Sequence, residues 1–197
     1  MSYDSEHKEK TRQRVLDEAA KAIRAEGPHR VGVAAVMAKA GMTHGGFYAH
    51  FASKDDLVAA AIGRMFEEGR ARLEHDTQDR TPAEGLSAYI DFYLSRGHRD
   101  TRVAGCPLPF LAADAPRLTG EARGRFAKGA AALRSAIAAR LADVGHADAE
   151  AEASSVLSEM VGALSLARAE PDKERSAAIL ANSKSSLKRR LGLETPQ

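Results

Sequence analysis

The sequence predicts an all-α protein of about nine helices. Three observations carry this. Apolar residues recur at helical spacing along most of the chain, as in Val15, Leu16, Ala19, Ala20 and Ile23, and again in Leu57, Val58, Ala61, Ile62, Met65 and Phe66. No segment alternates apolar and polar residues in the manner of a half-buried strand. Gly/Pro punctuation falls at the breaks between periodic runs, and nothing repeats at a fixed period as a helical solenoid would.

Each element has its own signals. Residues 8–26 form the first helix, stopped by Gly27-Pro28. Residues 33–40 form the second and end at Gly41, a residue that enters a left-handed turn without steric cost. Thr43 is placed to open a short helix over 44–50, its hydroxyl accepting a backbone N–H. Within it Phe47 and Phe51 share the core-facing side, while His44, Gly45, Tyr48 and Ala49 point outward. Ser53 caps a long helix over 54–75, with Asp55 and Asp56 in the first turn, where the helix dipole favours negative charge. Thr81-Pro82 begins another, read through about Gly97. A short element at 106–114 precedes a helix from about 119 to 144, ended by Gly145. Helices over 147–168 and 173–191 complete the chain, separated at Pro171-Asp172.

Composition narrows the class. A chain of 197 residues with 44% apolar residues can hold a small recognition unit and a substantial helical core. One cysteine excludes an intramolecular disulfide framework and fits a reducing compartment. There is no apolar run long enough to span a bilayer, and Met1-Ser2-Tyr3-Asp4-Ser5-Glu6 carries no hydrophobic leader, so a cytoplasmic protein without a membrane partner is expected. The net charge of +2 is unevenly spread: residues 1–54 hold nine Lys/Arg against six acids, and the rest hold 20 against 21. This suits phosphate contact by a few placed groups, not by a polybasic tail.

The segment from Gly41 to Leu57 carries the chemistry. Two short helices joined by a glycine turn read as a helix-turn-helix, with the motif at about 32–51, and point to DNA. Adjacent glycines weaken a helix by about 1 kcal/mol each relative to alanine, so Gly45 and Gly46 make sense where a backbone must approach a groove floor. Lys54 sits poorly at a helix N-terminus unless it faces an external phosphate. No Gly-rich phosphate loop, metal-ligand set or cofactor motif is present. Cys106 and His98 lack an orienting acid for nucleophilic catalysis, so no enzyme is expected.

Residues 8–66 resemble the TetR family of transcriptional regulators. The resemblance rests on an amphipathic first helix ending at Gly27. It runs on through Val33, Val36, Ala40-Gly41 and Thr43 to Phe47-Tyr48-x-His50-Phe51-x-Ser53-Lys54-x-x-Leu57. Thr43-His44-Gly45-Gly46-Phe47-Tyr48 and Gly105-Cys106-x-Leu108-x-x-Leu111-Ala112-x-Asp114 are similar to strings in one branch of that family. Gly32, where many relatives have Thr or Ser, and Met37, where they usually have Ala, depart from the pattern.

The resemblance implies a DNA-binding domain over 1–54 and a ligand-binding, dimerising domain over 55–197. Thr43, Tyr48, His50 and Lys54 would contact phosphates, and His44, Gly45 and Gly46 would lie nearest base edges. The partners expected are a near-palindromic operator, a second copy of the chain and a small-molecule effector that releases DNA.

An effector pocket would draw on Tyr89, Phe92, Tyr93, Cys106, Phe110, Leu111, Phe126 and Met160, since such pockets are mostly apolar with a few polar groups. Cys106, before Pro107 and near Arg99 and Arg102, could also serve as an oxidant or electrophile sensor if its thiolate is stabilised there. The 147–168 and 173–191 helices carry small residues (Ala153, Ser154, Gly162, Ala163, Ala177, Ala178) that permit close helix approach; the resemblance implies that they form a four-helix interface between two copies, and ordinary intrachain core is the alternative. Lys188-Arg189-Arg190 reads as a solvated helix end. A non-specific nucleoid-type DNA binder and a helical ligand-binding protein without operator function are the competing classes.

Overall fold

A computed structural model describes residues 3–193, with side chains from residue 6 onward. Met1-Ser2, part of the stretch expected to carry no leader, lie outside the described residues. Among the described residues there are nine α-helices and three 3₁₀ turns, and no strand. The helices are α1 (Tyr3–Glu26), α2 (Val33–Lys39), α3 (Lys54–Thr77), α4 (Pro82–Tyr93), α5 (Arg96–Asp100), α6 (Leu108–Leu111), α7 (Gly120–Val144), α8 (Ala149–Ala169) and α9 (Lys173–Arg190). The 3₁₀ turns span Pro28–Arg30, His44–Ala49 and Ala115–Arg117. No described helix is long and apolar enough to cross a membrane.

The helix signals act where expected. Ser53 accepts from the Asp56 N–H at 3.1 Å, and the Asp56 carboxylate accepts from the Ala52 N–H at 2.9 Å, so the start of α3 is held from both directions. Thr81 and Glu84 form a capping box at the start of α4. Gly41 has φ +72 and closes α2 with two bonds, Gly41 N–H to Ala38 O at 3.0 Å and Met42 N–H to Met37 O at 2.9 Å. This pattern turns the chain sharply after the helix and needs the left-handed residue.

Two expectations are corrected. The run read as one helix to Gly97 stops at Tyr93, and Ser95 starts α5 by accepting from the His98 N–H at 3.0 Å. The 44–50 segment is a 3₁₀ turn, not an α-helix. Six residues with two glycines cannot sustain an α-helix on their own, and the tighter i→i+3 bonds suffice for one anchored turn.

One contiguous core joins the whole. α3 runs through its centre and packs against α1, α4 and α7; α7 packs on α8, and α8 on α9. The end of α9 is pinned and not free in solvent: Lys188 pairs with Asp91 at 2.7 Å, and Arg190 with Glu152 at 3.0 Å and Glu159 at 3.3 Å. Only Arg189 of that trio bonds locally, to Ser185. Of the small residues on the last two long helices, Ala153 and Ala163 are spent on the intrachain core. Gly162 and Ala177 are half-buried, and Ser154 and Ala178 are exposed.

Candidate nucleic-acid interface

Phe47 and Phe51 hold the 44–49 turn to the core. Each is 2% exposed, and their rings stack at 5.7 Å. With these two anchors inward, His44, Gly45, Tyr48 and Ala49 face solvent, and Tyr48 is 73% exposed. Its ring packs edge-on against Phe47 at 5.2 Å, which orients the hydroxyl without burying it. Thr43 is exposed and makes no capping bond, contrary to the expectation from its position, so its hydroxyl is available to an outside acceptor.

The two glycines of the turn have no internal reason to be glycine. Neither has positive φ. A Cβ on Gly45 would meet nothing within 4 Å, and one on Gly46 would touch Met42, Thr43 and Met37 at 3.7, 3.8 and 3.9 Å, ordinary contact distances. The fold would accept a side chain at either position.

His50 and Lys54 are placed less simply. His50 is half-buried, with Nδ1 enclosed and without a hydrogen-bond partner among the described residues. Burial first, then the charges of Lys8 and Arg12, hold its pKa below the usual range, so it is a neutral donor or acceptor. Lys54 is exposed and donates to the His29 carbonyl at 3.0 Å, which ties the start of α3 to the turn after α1. An ammonium has three donors, so this bond leaves two for a phosphate. The sequence reading missed Arg12, which lies over the Phe51 ring at 5.0 Å and beside His50. Its spacing on α1 alone gave no hint of that neighbour.

A second feature lies in the larger helical part. Tyr89, Phe92, Tyr93 and Cys106 line one cavity of about 210 Å³, together with Arg72, His98 and Gly105. Phe110, Phe126 and Met160 do not line it. Met160 is wholly enclosed in the core, as is Leu111, Phe126 packs edge-on against Phe66 at 5.5 Å, and Phe110 lies against the core elsewhere. Arg72 sits 3.6 Å over the Phe92 ring and bonds Asp76 at 2.8 Å, which fixes one wall. The Tyr93 hydroxyl is buried, and the weakly polar Cys106 thiol is its one neighbour of hydrogen-bonding type among the described residues. A buried hydroxyl facing only a thiol in an aromatic cavity is under-satisfied and could bond a ligand's polar group.

Cys106 is 5% exposed, and burial pushes its thiol up. That outweighs the opposing pull of the Tyr93 hydroxyl, the Leu108 N–H, Arg168 and Arg24. Burial thus opposes the thiolate expected from Arg99 and Arg102, and Arg99 turns to Asp100 and Ser176 instead. We expect DTNB at pH 7.5 to react with the native thiol roughly ten-fold or more slowly than with the denatured chain. Equal rates would mean an open, activated cysteine.

Between the two features lies a direct connection. Arg24, on α1 and 6% exposed, donates through Nε and Nη2 to the Gly105 carbonyl at 3.2 and 3.0 Å, and pairs with Glu68 of α3 at 2.6 Å. It falls four residues after Ala20 on the buried face of α1, a position whose charge was the readable signal.

Residues 15–61 match the family model of bacterial regulatory proteins, tetR family, and residues 82–179 match that of the LmrA/YxaF-like transcriptional regulator C-terminal domain. The chain belongs to the TetR family. It is 26% identical over 105 residues to the uncharacterized HTH-type transcriptional regulator YfiR of Bacillus subtilis (strain 168), a match covering 53% of this chain and 51% of that protein. The chain thus spans about half the length of the curated relative it matches. Among solved structures, a TetR transcriptional regulator of Chloroflexus aurantiacus superposes with a TM-score of 0.79 at 25% identity, over 95% of this chain and 96% of that one. Reduced NemR of E. coli gives a TM-score of 0.79 at 21% identity, over 91% and 96%, and shares the fold. The TetR family is one of transcriptional regulators, not of enzymes, with an N-terminal DNA-binding helix-turn-helix and a ligand-binding C-terminal domain.

Proposed function

We propose that this TetR-family chain is a cytoplasmic, dimeric repressor. Residues 1–54 bind a near-palindromic operator, and residues 55–197 dimerise and take up a small-molecule effector. The observation that carries the DNA reading is the pair Gly45-Gly46, exposed or half-buried on an anchored turn and needed by neither φ nor packing. Thr43 and Tyr48 flank it with free hydroxyls, and His50 and Lys54 stand behind, a set suited to phosphate oxygens. His44 is the one side chain beside the glycines able to read a base edge, so operator shape supplies part of the specificity.

The dimer reading draws on α8, where Leu166 is 63% exposed and Val161 and Gly162 are half-buried. The effector reading draws on the aromatic cavity and its buried, under-satisfied Tyr93 hydroxyl. A small molecule fits this cavity better than direct attack on Cys106, whose thiol is buried and raised in pKa. Binding there would move the segment that carries Gly105, and through Arg24 it would move α1 against the operator. Repression follows if the bound dimer simply occludes a promoter.

The test uses the full chain and its own upstream DNA in a gel shift, with and without excess random DNA. Gly45→Ala should leave folding unchanged or raise stability by about 0.5 kcal/mol, since the added methyl meets open space and alanine favours helical backbone. The same change should weaken operator binding about ten-fold, because the methyl separates backbone from groove. Tyr48→Phe should cost a comparable factor through one lost phosphate hydrogen bond. Unaltered affinity in both variants would remove the turn from the interface. Loss of all binding to random competitor would favour the nucleoid-type reading.

A further inference from the structure

On the other side of the 98–106 segment lies an open cleft of about 460 Å³, between α5, the end of α8 and the start of α9. Its wall carries four cations (Arg99, Arg102, Arg168, Lys173) and two carboxylates, Asp100 and Glu170. The carboxylates are already engaged. Asp100 is paired with Arg99 at 2.7 Å. Glu170 accepts from Arg175 at 3.1 Å and from the Asp172 N–H at 2.9 Å.

Among the described residues the remaining cations form no ion pair. Arg168, half-buried, donates only to backbone carbonyls, of His98 at 2.7 Å and Arg99 at 3.1 Å. Burial and, secondarily, the neighbouring Arg102 charge disfavour its positive form, although an arginine keeps its proton throughout. Arg102 and Lys173 are exposed and make no ion pair or hydrogen bond among the described residues. Four cations against two carboxylates leave the wall net positive, and the neutral carbonyl partners of Arg168 fix its guanidinium without quenching its charge. Phosphate or carboxylate oxygens entering the cleft would supply what the chain does not.

We propose that this cleft is a binding site for a small multivalent anion bearing phosphoryl or carboxylate oxygens, held by Arg102, Arg168 and Lys173. The site is separate from the aromatic cavity and does not depend on the DNA-binding reading. It borders the same segment, since the carbonyls of His98 and Arg99 receive Arg168 and the Gly105 carbonyl receives Arg24.

The test is isothermal titration of the full chain with pyrophosphate and, separately, with citrate, at fixed ionic strength. Wild-type protein should bind at least one of them saturably; binding of pyrophosphate alone or citrate alone identifies a phosphoryl or a carboxylate ligand. Arg102→Ser/Lys173→Ser should weaken it roughly ten-fold or more, the loss expected of two charge-assisted contacts, with an unchanged melting temperature in the absence of anion. A control pair of equal charge on exposed α7 positions, Arg123→Ser/Arg134→Ser, should retain binding. Absence of saturable binding to either anion overturns the site, as does an equal loss in both double variants, which would reflect the net charge of the surface. Gel-shift behaviour is read apart, so failure of operator binding leaves this result standing.

Discussion

Gly129→Val is expected to destabilise the protein by about 3 kcal/mol. Gly129 lies on α7 where that helix crosses α3, and a Cβ there would collide with two ring carbons of Phe66 and sit 2.8 Å from its Cβ. The ring cannot simply swing away. Phe66 is 5% exposed, meets Phe126 edge-on at 5.5 Å, and its own Cβ is part of the clash, so the two helix backbones must separate. Alanine at this site would recover about 1 kcal/mol of helix propensity against the overpacking; valine adds two methyls and gives most of that gain back. Gly124 on the same helix is the comparison, because a Cβ there meets nothing within 4 Å, and Gly124→Ala should stabilise by up to about 1 kcal/mol. Urea midpoints for both variants, at unchanged m, read the effect directly. A Gly129→Val midpoint equal to wild type would mean that α3 and α7 do not hold their spacing. Since α3 also packs against α1, that spacing sets where the 44–49 turn is presented.

What the sequence made legible was local. Periodicity found α1, α3, α7, α8 and α9, and side-chain caps placed the starts of α3 and α4 because Ser53 and Thr81 act within their own turn. The glycine at 41 was readable for the same reason. The misread elements are those that tertiary anchors decide. The 44–49 segment has the pattern of a helix, but two buried phenylalanines hold it, and one 3₁₀ turn is enough to present them. The break at Leu94 was hidden because Ser95 directly follows the apolar Phe92-Tyr93-Leu94; only its spacing to His98, where it caps α5, hinted at a restart. Cys106 shows the same limit in its chemistry. Two arginines nearby in sequence suggested a thiolate, yet burial is a property of the fold and it decides in the other direction. The anion cleft and the Arg24 contact join residues more than sixty positions apart, which no spacing rule connects.

Between pH 6.5 and about 4, His98 alone should remove about 3 kcal/mol of stability. It is 4% exposed and has both ring nitrogens committed, Nδ1 to the Tyr93 carbonyl at 2.8 Å and Nε2 to the Cys106 N–H at 3.2 Å. A carbonyl only accepts and an N–H only donates, so these partners fix the neutral tautomer with the proton on Nδ1. Protonation would aim a second N–H at the Cys106 N–H. Burial is the main reason the pKa falls from 6.5 to about 4; the Tyr93 carbonyl pulls it up, and Arg168, Arg72 and Arg24 push it down. In the unfolded chain the ring takes its proton near 6.5. Across the window the unfolded state therefore holds more protons and acid favours it; above 6.5 both states are neutral, below about 4 both are charged, and the slope vanishes at either end. Carboxylates titrate in the lower part of the same range, so the informative quantity is the difference between wild type and His98→Gln. That variant should be less stable than wild type at pH 7.5, with the gap closing as pH approaches 4; a gap constant across the range would mean that His98 does not resist its proton. The ring stacks on Phe92 at 5.1 Å and stands beside the Arg168 and Arg24 contacts, so its protonation would loosen the segment that both the aromatic cavity and α1 depend on. Operator affinity should therefore fall in the same acid window, ahead of global unfolding.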